Sequence, residues 1–310
     1  MRSPRNDRQC LTLAATVLLM CSCLSAIEAQ EVLRWKFQKG QELHYVMEQK
    51  MDTKINVMGR DLGTTMTQIM DIDWIIKSVD EDGTAQMIQT ISRIRLKLNG
   101  PTLNVDYDTK SGERPDNPLA QNLTRTFDAL AGGEFTMTMS SQGEVKDAKL
   151  PKKFEEALAK NPQGGAAIGI SPDSMKQMMA KSGIVFPKEA VKKGSSWMRP
   201  MEVKLPFGQM IVTNQFVYDG KQTKGDRSLE RITLKPTLTL KPNPDSPFMI
   251  NLKSQDSNGE IFFDKSAGSL IESSMKQNMV MQIMAGGQNI AQTTNTTVTM
   301  RLVEGPDVPE

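Results

Sequence analysis

A small set of residues could do chemistry in this chain. His44 is the single histidine, so any Ser-His-Asp arrangement would have to use it. No Gly-x-Ser-x-Gly elbow is present to supply an activated serine. His44 shares its parity with Glu42 and Glu48 in an extended stretch, as on a solvated strand face. It reads as a surface residue, because catalysis needs converging groups and none converge on it.

Methionine is the second candidate, and 20 of the 22 lie beyond residue 29. Met175, Met178 and Met179 are close in sequence, as are Met279, Met281 and Met284. Thioethers are soft ligands that suit Cu(I). Yet the first group matches a helical stripe and the second an inward strand face. Methionine also fills irregular cores and adaptable apolar surfaces. We therefore read Met175, Met178, Met179, Met279 and Met281, with Met66, Met70 and Trp74, as the lining of an apolar cavity. No cofactor and no metal are expected.

The acid pairs Asp71/Asp73 and Asp80/Asp82 could serve calcium or glycoside chemistry. The first pair falls on the polar face of a strand and the second in a turn, so both read as solvated. Gly164 to Gly169 lacks the Gly-Lys-Ser/Thr of a phosphate loop and reads as a hinge. Asn122-Leu-Thr124 and Asn295-Thr-Thr297 fit the glycosylation pattern, which matters only in a eukaryotic secretory pathway.

The elements that must position these residues are mostly strands. Thr64 to Asn99 reads as one long hairpin. Met66, Met70, Ile72, Trp74 and Ile76 share one face of its first arm, with Asp71, Asp73 and Lys77 opposite. Asp80-Glu81-Asp82-Gly83 is the turn. In the return arm Ile88, Ile94, Leu96 and Leu98 share a face, with Arg93, Arg95 and Lys97 on the other. Arms of about fifteen residues exceed the usual five or six, and strands that long twist and curl.

Further strands are expected over Val32–Phe37, Glu42–Val57, Leu103–Tyr107, Phe135–Met139, Trp197–Leu205, Met210–Tyr218 and Leu229–Leu240. The last of these is interrupted by Pro236, which predicts an edge or a bulge. Asp219-Gly220 reads as a turn. Gly259–Asp264, Ser269–Met284 and Asn289–Val303 complete the set, the last two as a hairpin around Gly286-Gly287. Helices are expected after Asn117-Pro118, burying Leu119, Leu123, Phe127 and Leu130, over Pro151–Lys160, burying Phe154 and Leu158, and from Ser171. An aromatic–Asp–Gly spacing recurs at Tyr107-Asp108 to Gly112 and Phe263-Asp264 to Gly268. It fits either an internal duplication or ordinary strand–turn chemistry.

The fold class is thus mainly β with a few helices (α+β). Long curved antiparallel strands form a partly open barrel or two related sheets, with a helical insert near 151–194. The expected organisation is a leader at 1–29, a β-rich first half at 30–150 with one helix, a helical connector at 151–194 and a β-rich second half at 195–310.

Arg2, Arg5 and Arg8, an apolar run from Leu11 to Leu24, and small residues at Ser25, Ala26 and Ala29 have the layout of a signal peptide. Cleavage is expected after Ala29 or Ala26. The mature chain would be exported, periplasmic or extracellular, with no transmembrane segment. Cys10, Cys21 and Cys23 all fall in this leader, which excludes disulfides and thiol chemistry from the rest. Met20-Cys21-Ser22-Cys23 is a poor match to a lipoprotein cleavage box that would lipidate Cys23. Without residues 1–29 the chain has 35 basic and 34 acidic side chains, which gives no electrostatic case for nucleic acid.

Lys39-Gly40 before Leu43–Tyr45, the Asp80–Gly83 turn with Arg93-Ile94, and Phe263-Asp264 to Gly268 before a long terminal hairpin carry a family likeness. The chain resembles an uncharacterised family of exported bacterial proteins, a domain of unknown function. More loosely, it looks like the half-barrel lipoprotein carriers of the bacterial envelope. That resemblance implies a fold and carries over no site residue. The expected function is non-enzymatic binding of a lipid or other apolar ligand in a β-lined cavity. The alternative is a structural or assembly protein of the cell envelope, acting through contacts with an envelope protein.

Overall fold

In the computed structural model, residues 30–160, 172–181, 183–205, 207–246 and 248–305 are described. The expected leader with its cleavage site and Cys23, and the glycine-rich segment 161–169, lie outside these residues.

Twelve strands build one antiparallel sheet. They are β1 (Glu42–Val57), β2 (Arg60–Val79), β3 (Ala85–Asn99), β4 (Asn104–Asp108), β5 (Glu134–Met139) and β6 (Val145–Lys149). The second half supplies β7 (Ser196–Leu205), β8 (Gly208–Lys224), β9 (Arg227–Pro242), β10 (Phe248–Asp264), β11 (Ser269–Ala285) and β12 (Gln288–Val303). Among the described residues, three helices, α1 (Pro118–Leu130), α2 (Lys152–Lys160) and α3 (Pro172–Lys181), sit between β4 and β7 in the sequence. The sheet order is β6-β5-β3-β2-β1-β12-β11-β10-β9-β8-β7, with β4 paired to β3 off this path. The two halves are therefore one curved sheet, joined where β1 pairs β12 from His44↔Val303 to Val57↔Ile290.

The sheet does not close on itself by strand pairing. Its edges β6 and β7 are bridged by α3 and the extended segment after it. Ser174 Oγ on α3 donates to Lys204 O at 2.8 Å. Phe186 N donates to Gln142 O at 2.8 Å, and Gln142 Nε2 returns a bond to Phe186 O at 2.9 Å. Trp197 Nε1, from β7, donates to Val185 O at 2.9 Å. Gly143 sits in this junction at φ +97, where a Cβ would lie 2.1 Å from Ile184 O.

One end of the curl is packed shut. Leu33, Trp35, Tyr45, Ile76, Met87, Phe186, Ile232 and Phe263 form its buried core. Trp35 stacks on Phe37 at 5.9 Å and meets Phe263 edge-on at 5.4 Å. Aromatic pairs in such geometries add to the gain from area burial alone. Val32–Phe37, expected as a strand, is instead an extended strap without a ladder. Its backbone is held at single points, by a Glu31–Val191 bridge, Trp35 N to Ser141 O at 2.8 Å and Lys36 N to Gly268 O at 3.0 Å. The strap is pinned at its start by Glu31, which is 7% exposed and paired with Lys265 and with Lys221 at 2.8 Å. Those two cations hold its carboxyl below the usual carboxylate range, Lys221 first.

Several local expectations are corrected. The return arm of the 64–99 hairpin carries a bulge at Ser92, between the pairs Asp71↔Arg93 and Ile72↔Ile91. The inward set is Met87 and Ile91 before the bulge and Ile94 and Leu96 after it, so Ile88 faces away from Ile94. One inserted residue reverses the parity that a simple alternation assumes. Asp71 is not solvated but 7% exposed, because Arg95 lies across that face and pairs with it at 2.7 Å. Gly220 is not in a turn. It marks a bulge after Tyr218, and β8 continues to Lys224. On α1, Asn117 caps as expected, accepting from Leu119 N at 2.8 Å. The buried residues are Ala120, Thr124 and Ala129, and Leu119 is 64% exposed.

Tyr107-Asp108 and Phe263-Asp264 share their turn chemistry: each Asp Oδ1 accepts the amide two residues on, Lys110 N at 2.9 Å and Ser266 N at 2.8 Å.

Candidate functional site

The end opposite the aromatic plug is built from strand tips. It holds the two-residue loops Met58-Gly59 and Gly286-Gly287, the end of β9 and the start of β10. Residues opposite one another in an antiparallel ladder share a face. The ladders therefore place Val57, Ile55 and Met51 of β1 on the same inner face as Tyr45. They add Ile290 of β12 and Met275, Met279, Met281 and Ile283 of β11 to it. Leu252 and Ile250 of β10 follow, opposite Met281 and Ile283.

In the plugged half, inward residues are buried in the core clusters. In the open half the apolar inward residues of β1, β10, β11 and β12 named above are neither buried nor part of any cluster, while Thr53 and Thr294 among them are buried. The result is a curved wall of half-exposed Ile, Val, Leu and Met side chains. From Met51 to Val57 it runs about 20 Å, at roughly 3.3 Å per residue.

The structure divides the eight expected lining residues between these two regions. Trp74 and Met70 pack against the main core, and Met70 also touches the cluster around Ile94 and Phe154. Met175 and Met179 pack into that cluster from α3. Met66 packs against Leu96, Val105 and Tyr107 beneath α1. Met178 is half-exposed on α3 and belongs to none of these clusters. Met279 and Met281 alone stand on the open wall. Periodicity missed Ile55, Val57, Ile250, Leu252 and Ile290 as fellow members, although each has the right parity.

Trp74 lies 5.2 Å from Tyr45 and 6.0 Å from Trp35 between ring centroids. Its indole N–H is buried without a hydrogen-bond partner among the described residues. Burial also pushes the Tyr45 hydroxyl well above the usual phenol range.

A second opening lies between β9 and β10. These strands pair only from Glu230↔Phe263 to Leu234↔Gly259 and then separate. Past that point a pocket of about 410 Å³ is lined by Lys235, Pro236, Leu238, Leu252, Gln255 and Ser257. Pro236 is not in a bulge; it lies on a local free edge of β9, at the point where two central strands part. Pro236 and Pro242 lack the N–H groups that a ladder partner would need.

The candidate chemical groups are engaged elsewhere. His44 Nδ1 lies 2.7 Å from Asp73 Oδ1 on the outer face, with Glu42 at 4.0 Å. Asp82 accepts from Thr84 N at 2.9 Å. Among the described residues no group of three His, Cys, Asp or Glu is arranged to hold a metal ion. None of the described helices is long and apolar enough to cross a membrane.

Residues 82–270 match a family of unknown function, DUF6263. No curated protein matches. Among solved structures, one described as showing lipid–protein interactions in lipovitellin matches with TM-score 0.46 and 12% identity, over 89% of this chain. This chain spans 26% of that one. An outer membrane channel from Pseudomonas putida F1 matches with TM-score 0.24 and 7% identity, over 87% of this chain and 97% of the other. A domain described as an outer membrane lipoprotein-sorting protein, from Vibrio parahaemolyticus, matches with TM-score 0.20 and 10% identity, over 86% and 87%. With every score below 0.5, no residue role carries over from them.

Proposed function

We propose, from the premise that the chain belongs to the DUF6263 family, that it is an exported, non-enzymatic protein that holds an apolar ligand of the lipid class against the inner wall of its open half. The observation that supports this reading is the contrast along single strands. Tyr45 is buried at 1% exposure, while Ile55 and Val57, on the same face of the same strand, stay half-exposed. The same holds for Leu270 against Met279, Met281 and Ile283 on β11. Apolar surface left open on a concave wall gains free energy by taking up an apolar guest, at about 25 cal/mol per Å² covered. Export is supported by the leader pattern of residues 1–29.

The alternative of pairing with an envelope protein through free strand edges has less support. The edges β6 and β7 are bridged by α3. Pro236 and Pro242 blunt the exposed stretch of β9.

Native mass spectrometry of purified protein, with displacement of a fluorescent fatty acid, tests the proposal. Retained lipid and saturable probe binding are expected. A clean apo mass together with no probe binding would overturn it.

A further inference from the structure

The open end carries apolar side chains on both faces of the sheet, which a ligand on the inner wall does not explain. Met249 and Met284 face each other across β10 and β11 with outward parity, and each is 41% exposed. Leu62, on the inner face opposite Ile55, is 40% exposed. Met58 projects from the neighbouring tip at 80% exposure. From Gln277 to Met300 the chain has no charged residue. An uncharged hairpin of that length is unusual for a sheet surface facing water.

Met58 is the sharper observation. It has φ +52, the only described non-glycine residue with a positive φ. It occupies the first position of a two-residue hairpin loop, where the preferred residues are Asn, Asp or Gly. The neighbouring tip meets the same demand with Gly286 at φ +56 and Gly287 at φ +77. A methionine in that conformation costs hairpin stability and buries nothing in return within the chain. Its placement serves something outside the chain.

Cations flank these tips. Arg60 directly follows the Met58-Gly59 loop, Lys54 lies four residues before Met58 on β1, and Lys253 lies four residues after Met249 on β10. All three are exposed and without an ion pair among the described residues. Asp61 stands among them, bonded to Asn56 at 2.5 Å. We infer that the Met58 and Met284 tips dock on a bilayer surface containing anionic lipid. The apolar tips would enter the interface, with Lys54, Arg60 and Lys253 at the level of the phosphates. This surface does not need the inner wall to be loaded, so the two readings stand or fall separately.

Co-sedimentation of the purified protein with phosphatidylglycerol/phosphatidylethanolamine vesicles tests it, alongside phosphatidylcholine vesicles and light scattering. The expected result is binding to the anionic vesicles, several-fold weaker on phosphatidylcholine. Met58→Asn should lower binding several-fold while its melting temperature stays level or rises, since Asn suits the turn. Lys54→Glu/Arg60→Glu should lower binding to the anionic vesicles alone. No co-sedimentation, equal binding to both vesicle types, or wild-type binding by Met58→Asn would overturn the inference. So would a dimer in solution that Met58→Asn abolishes, which would make a second copy the occupant.

Discussion

Gln255 and Leu238 are joined across the gap between β9 and β10 by a side chain that takes the place of a strand. The Gln255 amide oxygen accepts from Leu238 N at 2.7 Å, and its nitrogen donates to Pro236 O at 2.9 Å. One amide thus satisfies a donor and an acceptor that the parting of the strands leaves exposed.

Gln255→Leu should therefore cost about 1–2 kcal/mol, the penalty for unpairing half-buried backbone groups. Urea unfolding measures the loss. Hydrogen exchange at the Leu238 amide should speed up while that of the β1–β12 ladder does not.

Glu31 gives a prediction in pH. Its folded pKa lies below its unfolded value, because Lys221 and Lys265 favour the charged form. Its stabilisation is then complete above the unfolded value of about 4.3 and is lost as pH falls through the folded one. Glu31→Gln should cost about 1–3 kcal/mol at pH 7. The gap from wild type should narrow as pH falls below the unfolded value and through the folded one, as followed by thermal melts across the acid range.

Two glycines separate conformation from space. Gly112 has φ +71 with nothing near a built Cβ, whereas Gly143 has φ +97 with Ile184 O and the Trp35 ring against it. Gly112→Ala should cost about 1–2 kcal/mol. Gly143→Ala should cost about 3 kcal/mol or more, because the junction between β5–β6 and Ile184 must open. Denaturant midpoints compare the two.

The plugged and open halves should respond differently to substitution. Phe263→Ala removes a 0% exposed ring and should cost about 3–5 kcal/mol. Met281→Lys lies on the half-exposed wall and should change the melting temperature little, while weakening a fatty-acid probe about tenfold or more. Equal destabilisation by the two changes would mean that the open wall is core.

The long hairpins and their inner faces were legible because alternation is a local property of the chain. β1 begins and ends where the pattern places it, at Glu42 and Val57. The Ser92 bulge was not legible, since one inserted residue has no compositional mark and only reverses the parity beyond it. Nor was the pairing of β1 with β12, because alternation fixes which way a side chain faces and not which strand lies alongside. The site was half legible for the same reason. Met70 and Met281 carry the same inward signal, yet the strap and helices cover the first and leave the second open. That difference depends on Trp35, Phe186 and Met179 arriving from distant parts of the chain.

The β1–β12 ladder bears on how the chain is made. β12, the last of the described strands, lies at the middle of the sheet beside β1, the first of them. A nascent chain halted before Gln288 would leave one side of β1 bare from His44 to Val57. Its amides on that side could not be satisfied until β12 had emerged. Such long-range closure is slow, so the growing polypeptide would benefit from being kept unfolded until the β11–β12 hairpin has emerged.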